Sequence, residues 1–147
     1  MDSNVTQMLA EYTRLHSEMD GLYHTLAVRA GLSDSALDIL YALCVLGDGC
    51  LQRDVCALSF TSKQTIHSSI RKLEQDGLLR LQPGQWREVH IRLTPRGSRL
   101  IQEKVLPILD LERQAMACLS PEERESFLRL TRQYISHFRT LIKQGEL

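Results

Sequence analysis

The sequence predicts a mainly α-helical fold of six helices with one small β-hairpin, and three observations carry that prediction. Aromatic residues make up only 5% of the chain and glycine and proline are sparse, whereas a sandwich or barrel needs many strands and frequent turn residues. Apolar residues recur at helical spacing over most of the length. Pro83-Gly84 lies between two short runs of strand-like character.

The elements follow in order. Val5, Met8, Tyr12, Leu15, Met19, Leu22 and Leu26 alternate at spacings of three and four, which puts them on one stripe of a long first helix. Gly31-Leu32-Ser33 ends it, and Ser33 or Ser35 caps a second helix over about 34–46 with Leu37, Leu40, Tyr41, Cys44 and Val45 inward. Gly47-Asp48-Gly49 stops that helix. A short helical piece follows over 51–58, with Leu51, Val55 and Leu58 inward. After a Ser59-Phe60 turn, Thr61 and Gln64 read as a capping box that opens a fourth helix near Ser62, closed by Gly77. The hairpin takes 78–81 and 88–93 around Gln82-Pro83-Gly84-Gln85, with Val89, Ile91 and Leu93 facing inward. Thr94-Pro95 opens a fifth helix carrying Leu100, Ile101, Val105, Ile108, Leu109 and Leu111, with a kink expected at Pro107. Ser120-Pro121-Glu122-Glu123 opens the last, which presents Phe127, Leu130, Tyr134, Phe138 and Leu141 on one face. No repeat or linker divides the chain, so residues 1–147 are expected to form one domain.

At 147 residues, 43% of them hydrophobic, the chain is long enough to bury a core without disulfides or a structural metal. No apolar run approaches the roughly 20 residues that span a bilayer. Met1 to Tyr12 lacks the basic-then-apolar pattern of a secretion signal, so an unprocessed cytoplasmic chain is expected, without a membrane partner. Cys44, Cys50, Cys56 and Cys118 contain no CxxC pair and read as reduced thiols. His16, His24, His67, His90 and His137 are scattered, and HExxH, GxSxG and glycine-rich phosphate loops are all missing. The chain is therefore expected to be neither an enzyme nor a metal or cofactor binder.

Net charge is zero, but the segments differ: −5 over 1–52, +5 over 53–99 and 0 over 100–147. A basic middle third around a helix, turn, helix and hairpin is the electrostatic footprint of a phosphate-binding module. On the fourth helix Ile66, Ile70 and Leu73 take the core face, which leaves Lys63, Gln64, His67, Ser68 and Arg71 outward. Such a helix fits the major groove of duplex DNA, where Arg grips guanine and Gln pairs with adenine. Ser62 and Thr65 join this set at the helix start. Arg80, Arg87, Arg92 and Arg96 lie on or beside the hairpin, and Arg80 and Arg87 are the candidates there, with Arg87 at the tip. Trp86 is expected to pack the tip against the body. A solvated amphipathic helix explains any one of these side chains; the group, in this context, favours DNA.

The Thr61-Ser62-Lys63-Gln64-Thr65-Ile66 opening, the run Arg71-Lys72-Leu73-Glu74-Gln75-Asp76-Gly77-Leu78-Leu79 and Leu93-Thr94-Pro95-Arg96-Gly97 resemble the MarR family of winged helix-turn-helix transcriptional regulators. Leu119 to Glu123 resembles that family's last-helix start. The wing departs from the family pattern: Gln85-Trp86-Arg87 stands where the family usually has D-x-R, so the Arg is kept and its orienting Asp is lost.

The resemblance implies a homodimer built by the terminal helices, 1–32 and 100–147, with 33–99 as the winged helix-turn-helix DNA-binding region. It implies a regulator, expected to be a repressor, of a pseudo-palindromic double-stranded operator. The two long apolar stripes agree, since they exceed what one small winged module covers. Family members commonly respond to a small-molecule effector in a crevice between the dimer helices and the DNA-binding module, and Tyr12, His16, Tyr23, Tyr41 and Arg53 are placed to line one. Cysteine oxidation is the second mode, with Cys50 as candidate because it follows the Gly47-Asp48-Gly49 turn. The competing reading of the whole chain is a winged-helix protein interaction module without specific DNA binding.

Overall fold

Seventeen apolar side chains make one core, and all of them fall between Ala27 and Ile108. In the computed structural model, which describes residues 3–59 and 61–145, helix α2 (Asp34–Leu46) runs through its middle. Residues up to Ile108 form one compact unit, and those from Leu109 a second.

In the first unit, α1 (Ser3–Ala30) ends at Gly31, whose φ of 72° lets Leu32 donate back to Ala27 O at 2.9 Å. Ser33 caps α2, accepting from the Ala36 N–H at 3.2 Å. Ala36, Leu37, Ile39, Leu40, Ala42 and Leu43 are all buried, so α2 is covered on more sides than a single stripe suggests. Tyr41 and Cys44 are half-buried and pack against the core as expected, whereas Val45 is exposed, contrary to the inward face expected for it. Helix α3 (Gln52–Leu58) buries Val55; Leu51 precedes it as N-cap, half-buried, and Leu58 is exposed rather than inward.

Helix α4 (Lys63–Gln75) buries Ile66, Ile70 and Leu73, as its spacing predicts. Strands β1 (Leu79–Pro83) and β2 (Val89–Leu93) pair antiparallel in the register Leu79 with Leu93 to Pro83 with Val89. Gln82 and Pro83 therefore belong to the strand, and the turn is Gly84 to Glu88. The segment before α3 adds a partial third strand: Ile91 donates to Cys50 O at 2.9 Å, Gly49 donates to Ile91 O at 2.8 Å, and Leu51 bridges to His90. No periodicity announces a three-residue strand.

Helix α5 (Pro95–Leu100) passes into a π-helical stretch, Ile101–Val105, and on into α6 (Leu106–Ala117) without leaving helical backbone. Counted as one rod, these three give six helices among the described residues, and the fold is the winged helix-turn-helix expected. The anomaly at Pro107 takes the form of the π stretch: Pro107 has no N–H to give Glu103 O, and the wider turn, with Leu106 donating to Ile101 O, lies just before it. Ile101, Val105 and Ile108 are buried, whereas Leu111 is exposed.

In the second unit, α7 (Pro121–Gln144) opens with the full capping box: Glu123 donates its N–H to Ser120 Oγ at 3.2 Å and accepts from the Ser120 N–H at 2.7 Å. None of its residues is buried. Phe127, Leu130, Tyr134, Phe138 and Leu141 are all exposed, and so, on α1, are Val5, Met8, Tyr12, Leu15, Met19 and Leu22. Both stripes are present, and apart from Leu26, which is half-buried against the core, their side chains are not covered within it.

Candidate nucleic-acid interface

The start of α4 is fixed by a cap one residue later than the sequence suggests. Ser62 Oγ accepts from the Thr65 N–H at 3.3 Å and pairs with Thr65 Oγ1 at 2.8 Å. Thr61 instead turns its hydroxyl to Asp38 Oδ2 at 3.0 Å, and the Ser59 hydroxyl donates to the same oxygen. The expected Thr61–Gln64 capping box is thus replaced by a Ser62 cap, and Gln64 is released from that duty. Phe60, read as part of the preceding turn, lies outside the described residues.

The far end of α4 explains much of the motif that follows it. Gly77 takes φ 72°, which lets Leu78 donate to Leu73 O at 3.0 Å and close the helix. Glu74 Oε1 accepts from the Leu81 N–H at 2.9 Å, so the helix grips β1 directly. Thr94 Oγ1 donates to Gly77 O at 2.7 Å and accepts from the Gly97 N–H at 3.0 Å. Arg96 Nη1 donates to Asp76 O at 2.9 Å. Arg96, grouped with the hairpin cations from sequence, therefore serves the end of α4. Helix and wing form one rigid piece by these bonds.

All nine predicted residues are exposed: Ser62, Lys63, Gln64, Thr65, His67, Ser68 and Arg71 along α4 and at its cap, Arg80 on β1 and Arg87 in the wing turn. They divide by what they already do. Ser62 and Thr65 form the cap, and the Ser68 hydroxyl donates to Thr65 O at 2.9 Å. Lys63, Gln64, His67, Arg71, Arg80 and Arg87 enter no hydrogen bond or ion pair among the described residues. Four cations, an amide and an imidazole thus stand exposed on helix and wing. Arg92, also exposed, is held by Gln82 Oε1 at 3.3 Å and lies against Gly49. Trp86 does not pack against the body; it is 100% exposed.

A crevice of about 740 Å³ opens between α1, α2 and the α3 end, lined by His16, Met19, Tyr23, Leu37, Tyr41 and Asp38 among others. Of the five residues predicted to line a crevice, His16, Tyr23 and Tyr41 do, and Tyr23 and Tyr41 meet edge to face at 6.5 Å. Tyr12 does not line it and stacks edge-on with His16 at 5.9 Å. Arg53 is elsewhere, 3.5 Å from Glu88 at the wing and 3.8 Å from Asp54. Sequence reasoning missed His24, Asp34 and Asp38, which also line the crevice; His24 Nδ1 lies 2.9 and 3.0 Å from the two Asp34 carboxylate oxygens. Ten residues and a helix break separate that pair, and no local pattern signals it.

Cys50 is half-buried rather than exposed. Burial, with the Asp54 and Asp48 carboxylates adding to it, pushes its thiol above the ordinary range, against a weaker opposing effect of its own backbone hydrogen bond. Cys44 and Cys56 are raised by burial too. A raised thiol is a poor peroxide nucleophile, so these surroundings argue against Cys50 as a sensor. No group of three or more potential metal ligands occurs among the described residues, and no helix there is long and apolar enough to cross a membrane.

The short α3, the turn, the exposed face of α4 and the basic hairpin locked to it define a winged helix-turn-helix protein. The sequence model of the MarR family matches residues 30–85, a span covering α2, α3, α4 and β1, and the resemblance read from the sequence is thereby borne out. No curated protein matches the chain. Among solved structures it is similar to the Staphylococcus aureus MepR–DNA complex at 20% identity and a TM-score of 0.70, over 86% of this chain and 93% of that one. It is also similar to a MarR-family transcriptional regulator from Rhodococcus sp. RHA1, at 20% identity and a TM-score of 0.67 over 92% and 96%. Bordetella bronchiseptica BpsR, whose DNA binding is regulated by 6-hydroxynicotinic acid, shares 22% identity and a TM-score of 0.63 over 84% and 98%. At such identities the likeness establishes the fold.

Proposed function

We propose that this chain is a sequence-specific double-stranded DNA-binding transcriptional regulator that acts as a homodimer on a pseudo-palindromic operator and represses transcription. One observation carries the reading: six polar or cationic side chains on α4 and the wing are all exposed and are spent on no bond within the described structure. In the major groove Arg71 and Gln64 are the base readers, with Lys63 and His67 beside them, and Arg80 and Arg87 serve the flanking phosphates and minor groove. Residues 33–99 are the DNA-binding region, and 1–32 with 100–147 supply the dimer. The exposed stripes on α1 and α7 support self-association, because a C2 contact covers identical apolar faces. Half-sites would then lie about 10 base pairs apart.

The 740 Å³ crevice has the size of a small-molecule site and combines tyrosines and aliphatic side chains with His16, His24, Asp34 and Asp38. An effector there is supported by likeness to BpsR, and is preferred to Cys50 oxidation.

The test is selection from a random duplex pool with the purified protein, followed by titration of the recovered duplex at several salt concentrations. The reading expects a two-fold symmetric sequence and an affinity that falls steeply with salt as counterions are released. Weak binding indifferent to sequence would establish the interaction-module alternative instead.

A further inference from the structure

Trp86 is the only tryptophan in the chain, and its side chain is fully exposed at the wing tip. Its φ of 59° is also the only positive φ of a non-glycine residue among the described residues. The tip is held by Glu88 donating to Gln85 O at 3.1 Å and Gly84 donating to Glu88 O at 2.8 Å. Trp86 therefore sits at the corner of a tight turn where glycine, asparagine or aspartate is the comfortable residue. A bulky aromatic there strains the backbone and buries nothing. The fold gains from neither property, so the reason for this residue must lie outside the fold.

The surroundings indicate what it meets. Arg87 follows it in the exposed turn, and exposed Arg80 and Arg92 face each other across the two strands behind it. A flat apolar ring at the end of a cationic hairpin matches a surface that is anionic at its rims and apolar on its walls. The minor groove of DNA is such a surface, with phosphates along its edges and deoxyribose carbons lining its sides.

We propose that Trp86 enters the minor groove beside each half-site, its ring edge-on between the sugar walls, and that it selects A·T pairs there. The inference rests on the DNA-binding reading and adds a specificity element to it. The groove is about 6 Å wide and narrower in A-tracts, which suits a ring standing on edge. Its floor is clear at A·T pairs, whereas the guanine 2-amino group projects into it and keeps the ring out.

As the sole tryptophan, Trp86 reports on itself. Full-length protein is titrated with the selected duplex while indole emission and its quenching by iodide are followed. The expected result is a change of emission and loss of quenching on binding. W86A should weaken binding about tenfold without lowering the melting temperature, and W86G, which suits the turn, should do the same while raising it. Duplexes whose flanks carry G·C in place of A·T should bind the wild type about tenfold more weakly, and inosine·C flanks, lacking the 2-amino group, should restore it. W86A should not distinguish the three. Specific binding with unchanged emission and quenching, or W86A and wild type binding all flanks alike, overturns the inference and leaves the DNA reading standing. A lower melting temperature in both variants overturns it in favour of a packing role. Absence of any specific duplex binding defeats the DNA reading, and this inference with it.

Discussion

Replacing Gly97 with alanine should cost far more than one methyl group suggests. Gly97 is buried in the first turn of α5, and a Cβ there would lie 1.8 Å from Leu78 O and 2.9 Å from Leu78 C, at the entry to β1. Both atoms belong to backbone, so no side-chain rotation relieves the clash. Bringing the first contact even to 3.0 Å requires helix and strand to separate by about 1.2 Å. The Thr94 N–H is 3.1 Å from Leu78 O, and the Thr94 hydroxyl is 2.7 and 3.1 Å from Gly77 O and Leu78 O. A separation of that size would stretch these contacts to roughly 4 Å, past hydrogen bonding. Overpacking costs about 1–3 kcal/mol and the two bonds lost, one donated by the Thr94 N–H and one by its hydroxyl, about 1 kcal/mol each, offset by about 1 kcal/mol for alanine's better helix propensity. The net is a loss of about 2–4 kcal/mol. Urea unfolding followed by circular dichroism, at one protein concentration because self-association affects the midpoint, should show that midpoint falling by about 1–2 M. A G97A midpoint within about 0.2 M of wild type would refute the close approach and with it the locking of α5 to the wing.

Arg71→Ala should weaken binding of the selected duplex by about 1–3 kcal/mol and leave the melting temperature unchanged, whereas Arg87→Ala should lower affinity evenly across sequences and reduce the salt slope by about 1; fluorescence polarisation at several salt concentrations separates the two. At neutral pH, peroxide should leave DNA affinity unaltered, and mass spectrometry after iodoacetamide should find half-buried Cys50 modified more slowly than exposed Cys118. Because folding raises the Cys50 thiol, its protonated form supports the fold and that support fades as pH climbs past the ordinary thiol value. Wild type should therefore lose more stability than Cys50→Ala between about pH 7 and pH 10 in urea titrations.

Periodic features were legible in the sequence and contacts across the chain were not. Ile66, Ile70 and Leu73 face the core because spacings of four and three admit no other helical face, and the same geometry exposes Lys63, Gln64, His67 and Arg71. Ser120 and Glu123 form the box their spacing announces, since both partners sit within one turn. At α4 the local rule failed because Thr61 has a better partner 23 positions away in Asp38. Helical spacing places Val45 and Leu58 inward as well, yet they line the crevice as exposed side chains. Trp86 misled for a related reason. Size and apolarity favour burial in general, but a five-residue turn projecting from a two-stranded sheet offers nothing to be buried against.

Asp38 ties the crevice to the start of α4, and that link is open to direct test. Its carboxylate lines the crevice beside Leu37 and Tyr41, while Oδ2 accepts from the Ser59 and Thr61 hydroxyls. Thr61 immediately precedes Ser62, the cap of α4. One half-buried side chain thus lines the crevice and holds the chain at the point where α4 begins. Asp38→Ala removes both bonds; with water replacing part of what is lost, the cost is about 1–2 kcal/mol. The loss falls on the placement of α4 and on none of its outward side chains. DNA affinity should drop several-fold, and amide exchange over residues 59–65 should quicken, in the absence of any effector. Asp38→Asn keeps an oxygen acceptor in place and should retain most of both properties. Asp38→Ala protein that binds the selected duplex as tightly as wild type, with unchanged exchange at the α4 start, would break the proposed link between crevice and recognition helix.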